Sequence, residues 1–225
     1  MKFESKRIVY ALVFPLLFIL TLGIIFGLEW GLGADWHHLG AYPRKMEGLI
    51  GILTSPFIHS GLKHLFSNSV PLLVMGWCLF YFYRDLALKV FPLLWLSSGF
   101  FTWILGRDSW HIGASGLVYA LAFFLFFSGI FRKYIPLMAV SLIIVFLYGS
   151  TVWNMFPIAE LVDPNVSWEG HLAGAISGLC IAFIFRKEGP QLENEENEEN
   201  EENEGSEGSE GENNNENKDE NNSYH

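Results

Sequence analysis

Long uncharged apolar runs alternate with short charged connections along the first 188 residues. Residues 8–28 hold no Asp, Glu, Lys or Arg over 21 positions, residues 65–83 none over 19, residues 112–131 none over 20, and residues 134–159 none over 26. Residues 90–106 (17 positions) and 170–185 (16 positions) form shorter runs of the same kind. About 20 apolar residues of helix cross a bilayer core, and a shorter run spans where flanking side chains snorkel or the bilayer thins. In lipid every backbone N–H and C=O must find its partner inside the protein, which favours helices. The pattern predicts six transmembrane helices packed as an all-α membrane bundle.

The connections add detail. The first span follows a basic start (Lys2, Lys6, Arg7), as a signal peptide would. Its apolar core is longer than a signal peptide's, and no A-x-A cleavage site follows, so a retained helix is expected. Residues 29–63 form the longest connection and mix Trp30, Trp36, His37, His38 and Tyr42 with the apolar run "LIGIL". Trp and Tyr favour the membrane interface, so this first loop is expected to be partly embedded. With the N-terminus inside, inner segments carry Lys2, Lys6, Arg7, Arg84, Lys89, Arg132, Lys133, Arg186 and Lys187, and outer segments carry Arg44, Lys45, Lys63 and Arg107. Nine against four follows the positive-inside rule and places both termini in the cytoplasm. No transit peptide is visible, which points to a bacterial cell membrane.

Composition divides the chain in two. The formal net charge is −10. Residues 189–225 hold fourteen acids and one base, Lys218, a charge of −13, and the preceding 188 residues carry +3. Dense like charge with almost no apolar residues cannot bury a core. A membrane domain over 1–188 and a disordered, acidic, low-complexity tail over 189–225 are expected. Cys78 and Cys180 fall within the second and sixth spans, where they read as small apolar filler rather than a disulfide framework.

Polar groups within membrane spans are costly and mark functional sites. Ser115, in "GASG" between Gly113 and Gly116, opens the fourth span, where free amides and the helix dipole favour an oxyanion; a serine N-cap is the plainer role. Tyr119 lies one turn later, placed to pack or to stack on an imidazole. His171 lies one turn into the sixth span beside Gly170, Gly174 and Gly178, a small-xxx-small stripe of close helix contact; its plainer role is an interface hydrogen bond. "FIHSGLKHLFSN" holds His59, His64 and Asn68, and the last two share one helix face. The spacing of these histidines does not match a zinc motif, whereas two donors facing one spot suit an oxyanion. All four features fall at the outer ends of the second, fourth and sixth spans. No Asp or Lys lies within a span, so aspartyl and Ser–Lys proteolysis lack their residues. A serine with a histidine base remains. Asp163 and Glu169 lie near His171, but Glu169 is two residues away and faces elsewhere on a helix, so a dyad is expected rather than a triad.

These stretches, "HSGLKHLFSN", "GASGLVYA" and "GHLAGAISG", occur in that order on those helices, and the chain over about residues 8–187 resembles the rhomboid intramembrane serine proteases. The resemblance implies a six-helix rhomboid-like bundle with an embedded first loop. It implies Ser115 as nucleophile, His171 as general base, and His64, Asn68 and the Ser115 amide as the oxyanion hole. Tyr119 would pack on His171, Gly113 and Gly116 would shape the site together with His59, and Gly170, Gly174 and Gly178 would seat the sixth helix. The implied partners are transmembrane protein substrates and the lipid bilayer; no cofactor, metal or nucleic acid is expected. The chain departs from the family in two places: "YPRK" has no Trp before Arg44, and Ser55 stands where some members carry a further histidine. A non-catalytic relative that binds membrane clients is the alternative reading. A solute transporter fits less well, because the polar groups cluster at one face and no repeat is visible.

Overall fold

The computed structural model describes residues 2–133, 138–139, 142 and 167–189. Within them the chain is all-helical. Helix α1 spans Lys2–Leu32, a short α2 Gly51–Thr54, α3 Leu62–Tyr83, α4 Asp85–Leu105, α5 Ser115–Arg132 and α6 Trp168–Ile184. Four of these, α1, α3, α4 and α5, are long and apolar enough to cross a membrane, and α6 is a shorter apolar helix. Apart from residues 138–139, 142 and 189, the span expected over residues 134–159 and the acidic tail lie outside the described residues.

The helices are longer than their uncharged cores. Helix α3 starts at Leu62 rather than 65, and α4 starts at Asp85 rather than 90. A count of uncharged positions stops at the first charge, but a helix continues through the interface, where long charged side chains reach water. The fourth span differs in the other direction. Residues 112–114 are uncharged but not helical, because Gly113 has φ +99°, and α5 begins at Ser115.

Helix α5 runs through the middle of the packed helices, with Leu117, Leu121, Phe124 and Leu125 all fully buried. Helices α3, α4 and α6 pack against it, and α1 lies outside on α3. Phe14 stacks on Phe80 at 4.6 Å, and Phe18 meets Phe91 edge-on at 5.2 Å. Leu16, Leu17 and Leu20 on α1, with Phe66 and Val70 on α3, face outward and give the bundle an apolar exterior suited to lipid. Both cysteines are free, Cys78 buried and Cys180 exposed.

The first loop is folded onto the bundle rather than extended. Two short 3-10 turns, α2 and a third turn at Ser55–Phe57 bring it against α4 and the α4–α5 loop. Ala41 and His111 exchange backbone hydrogen bonds of 2.9 and 2.8 Å. Trp95 and Trp103 donate their indole N–H groups to the carbonyls of Leu53 and Lys45. Arg44 is the loop's clamp. Its guanidinium donates to the carbonyls of Ile104 (3.1 Å) and Gly106 (2.7 Å) and meets Asp108 at 2.6 Å. A cation suits those end carbonyls because a helix C-terminus is the negative end of the dipole.

Candidate active site

The start of α5 is shaped by two residues that cannot cap it. Gly113 takes a left-handed conformation that side chains rarely adopt, and its N–H donates to the Ser55 carbonyl at 2.9 Å. Ala114 is the N-cap residue and offers no side-chain hydrogen bond. Ser115 is therefore the first helical residue, half-buried, and does not hold the N-cap position. The first-turn amides are left for another acceptor.

Two side chains of α3 converge on this turn. A Cβ added to Gly113 would lie 2.5 Å from His64 Nε2 and 3.3 Å from Asn68 Nδ2. The Asn68 Nδ2 is buried and has no hydrogen-bond partner among the described residues. Ser60 Oγ lies 3.2 Å from His64 Nδ1. When that hydroxyl donates, Nε2 carries the proton and faces the Gly113 turn. His59 sits behind, edge-on to His64 at 5.0 Å.

Helix α6 arrives through glycines. A Cβ on Gly174 would lie 2.1 Å from the Gly116 carbonyl oxygen, and one on Gly178 would lie 2.3 Å from that of Ala120. This near-backbone contact carries His171 onto the face of α5 that presents Ser115. The His171 ring, 4 % exposed, stacks on Tyr119 with centroids 4.4 Å apart and planes 19° apart. Tyr119 lies four residues after Ser115, directly below it on the helix. Glu169 faces away and pairs with Arg107 at 3.7 Å. Asp163 lies outside the described residues.

His111 and Ser167 extend the site beyond the residues expected from sequence. His111 Nε2 lies 3.0 Å from the Arg107 carbonyl and so must donate. Burial holds the ring below its ordinary pKa, which favours the neutral form, in which Nδ1 accepts. The Ser167 hydroxyl donates to it at 2.6 Å and accepts from the Gly170 N–H at 3.1 Å. One chain of bonds thus links the α4–α5 loop to the N-cap of the helix that carries His171. His111 opens the stretch "HIGASG", and a serine three residues before Gly170 fits an N-cap; those were the available signals. A cavity of about 30 Å³ beside Ser115, lined by Thr102, His111, Ser167 and Gly170 among others, has room for water.

Burial pushes the His59 pKa down to about 4, with the neighbouring His64 adding to the effect. Between that value and an ordinary 6.5 the unfolded chain binds more protons than the folded one. Stability is therefore complete above about pH 6.5 and falls as pH drops toward 4, by on the order of 3 kcal/mol at the lower end. Thermal unfolding of the detergent-solubilised protein from pH 7 to 4 should show this loss. His59→Phe, which keeps a ring against His64, should flatten it.

The sequence matches the family model described as the rhomboid domain over residues 46–188. The chain is 31 % identical over 151 residues to uncharacterized proteins of Mycobacterium bovis and Mycobacterium tuberculosis, covering 64 % of this chain and 62 % of theirs. It is 33 % identical over 147 residues to an uncharacterized protein of Mycobacterium leprae, covering 62 % of this chain and 57 % of that one. The chain thus spans less than two thirds of the length of these relatives. With a rhomboid-domain match over more than half its length and several helices fit to cross a bilayer, this chain belongs to the rhomboid family as a multi-pass integral membrane protein.

Proposed function

We propose that the chain is an intramembrane serine endopeptidase that cleaves transmembrane segments of other membrane proteins. The observation that carries this reading is the Tyr119–His171 stack, which sets an imidazole against the face of α5 that begins at Ser115. Ser115 is the nucleophile and His171 the general base. His171 takes the hydroxyl proton as Ser115 Oγ bonds to the scissile carbonyl carbon, and the carbonyl oxygen becomes an oxyanion. His64, Asn68 and the Ser115 amide donate to that oxyanion. His171 then gives its proton to the leaving amine as the C–N bond breaks. A water, deprotonated by His171, hydrolyses the acyl-enzyme and returns Ser115 to its hydroxyl form.

The site belongs at the outer face of a bacterial cell membrane, with both termini cytoplasmic. The membrane domain is 1–188, and 189–225 is an acidic tail. The partly buried serine and the water-sized cavity beside it suit a hydrolytic site within a bundle.

Losing one oxyanion donor costs about 10²–10³ in rate. His64→Ala and Asn68→Ala should each lower kcat by that order on a reconstituted transmembrane substrate, with KM little changed. Labelling of the folded, detergent-solubilised protein by a fluorophosphonate probe tests the nucleophile directly. Stoichiometric labelling supports the reading. Its absence overturns it in favour of a client-binding relative without turnover.

A further inference from the structure

At the α1 end of the first loop, a carboxylate is buried with half of its hydrogen-bonding capacity unused. Glu29 lies in the last turns of α1 and is 9 % exposed. Its Oε1 accepts the Trp36 N–H at 2.9 Å. Its Oε2 is buried and has no partner among the described residues. A buried acceptor without a partner is costly and calls for a proton, a water or an ion. Asp35 and His37 stand beside it. Each of the three residues offers one donor atom, and these atoms all lie within 4.8 Å of one another.

The setting is negative. Two carboxylates sit at the C-terminal end of α1, where the helix dipole adds negative potential. The nearest basic residues in sequence are engaged elsewhere: Arg44 with Asp108 and two carbonyls, and Lys45 over the Tyr42 ring. His37 Nδ1 meets Asp35 Oδ1 at 2.7 Å, so the imidazole already faces the carboxylates. The backbone holds the arrangement. Gly33 turns the chain at φ +60°, and the Ala34 N–H donates to the Glu29 carbonyl at 3.1 Å.

We infer that Glu29, Asp35 and His37 form a binding site for a divalent transition cation, with Zn²⁺ the best match for two carboxylates and one imidazole. Bonds of about 2.1 Å place ligands about 3.4 Å apart around a tetrahedral ion, with water as the fourth. Asp35 and His37 are exposed, so their side chains can close the remaining distance. Pure carboxylate sets favour Mg²⁺ or Ca²⁺, and the imidazole shifts preference toward zinc. Sequence spacing hides the site, because its residues are six and two positions apart and match no metal motif. A bound ion would pin the end of α1 to the head of the first loop, whose Ala41 pairs with His111. The inference does not depend on the proposed proteolysis.

The test uses the full, tag-free chain in detergent, stripped with chelator, at physiological salt with excess Mg²⁺ to occupy the acidic tail. Zn²⁺ is titrated against a chromophoric chelator, and zinc-edge X-ray absorption is recorded. One equivalent should bind, with one histidine in the first shell. Glu29→Gln, which keeps an acceptor for the Trp36 N–H, and His37→Ala, at an exposed position, should each weaken binding at least about tenfold. His37→Ala should also remove the imidazole scattering. Equal zinc binding by all three proteins, or none retained by the wild type against the chelator, overturns the inference.

Discussion

Ser115→Ala loses turnover by about 10⁴-fold or more on a reconstituted transmembrane substrate, and with it all fluorophosphonate labelling. The substitution removes one half-buried hydroxyl from the first residue of α5. It removes no N-cap, because Ala114 holds that position, so the fold is expected to stay intact. His171 needs a sharper variant, since its ring is also a packing group. His171→Phe keeps an aromatic ring on Tyr119 but cannot take a proton. It should unfold at nearly the wild-type temperature and lose turnover to the same order as Ser115→Ala. The double variant should be no worse than either single one, because the two groups act as a unit. A His171→Phe protein that still cleaves substrate would make His171 a packing residue and sink the dyad.

These losses exceed those expected at His64 and Asn68 for a physical reason. An oxyanion donor shares its task with neighbouring amides, and the first turn of α5 keeps its own N–H groups when one side chain is removed. A nucleophile has no such substitute. The ranking Ser115 and His171 first, His64 and Asn68 second, is itself a check on the proposed roles.

What sequence could show follows from what each signal measures. Uncharged runs locate spans well, since exclusion of charge from lipid is the dominant cost, and the helices α1, α3, α4, α5 and α6 fall on five of the six runs. The same signal misplaces ends, as Asp85 and Gly113 show. A charge is tolerated at the interface, and a left-handed glycine is invisible to hydropathy. Ser115, His171, His64 and Asn68 stand out in the sequence as candidates because polar groups are conspicuous in and beside apolar runs. His111 and Ser167 do not, because they lie in a connection where polar residues are ordinary. Only the fold brings His111 Nδ1 to 2.6 Å from Ser167 Oγ. Glu29 was hidden for a related reason. It directly follows the uncharged run 8–28 and reads as an ordinary interface charge until its burial is seen.

The α5–α6 seam is where a single methyl group should damage the fold and the candidate site together. Gly→Ala inside an exposed helix normally stabilises by roughly 1 kcal/mol, because alanine loses less backbone freedom. Gly23 and Gly27 on α1 meet nothing within 4 Å of an added Cβ, and their alanine variants should unfold at or slightly above the wild-type temperature. Gly174→Ala places its methyl 2.1 Å from the Gly116 carbonyl oxygen and 3.1 Å from Tyr119 Cβ. The first contact is with backbone, which cannot rotate away, so the helices must separate. Overpacking of this kind costs about 1–3 kcal/mol, and more where rigid helices must part. Separation also lifts His171 from Tyr119 and from the face of α5 that bears Ser115. Gly174→Ala should therefore lower the unfolding temperature and cut turnover together. Gly178→Ala, one turn farther from His171 and 2.3 Å from the Ala120 carbonyl oxygen, should destabilise comparably but spare more of the remaining activity. Thermal unfolding and kcat measured on the four alanine variants separate the two effects. Equal stability of Gly174→Ala and Gly23→Ala would mean that α6 does not reach α5 through its glycines.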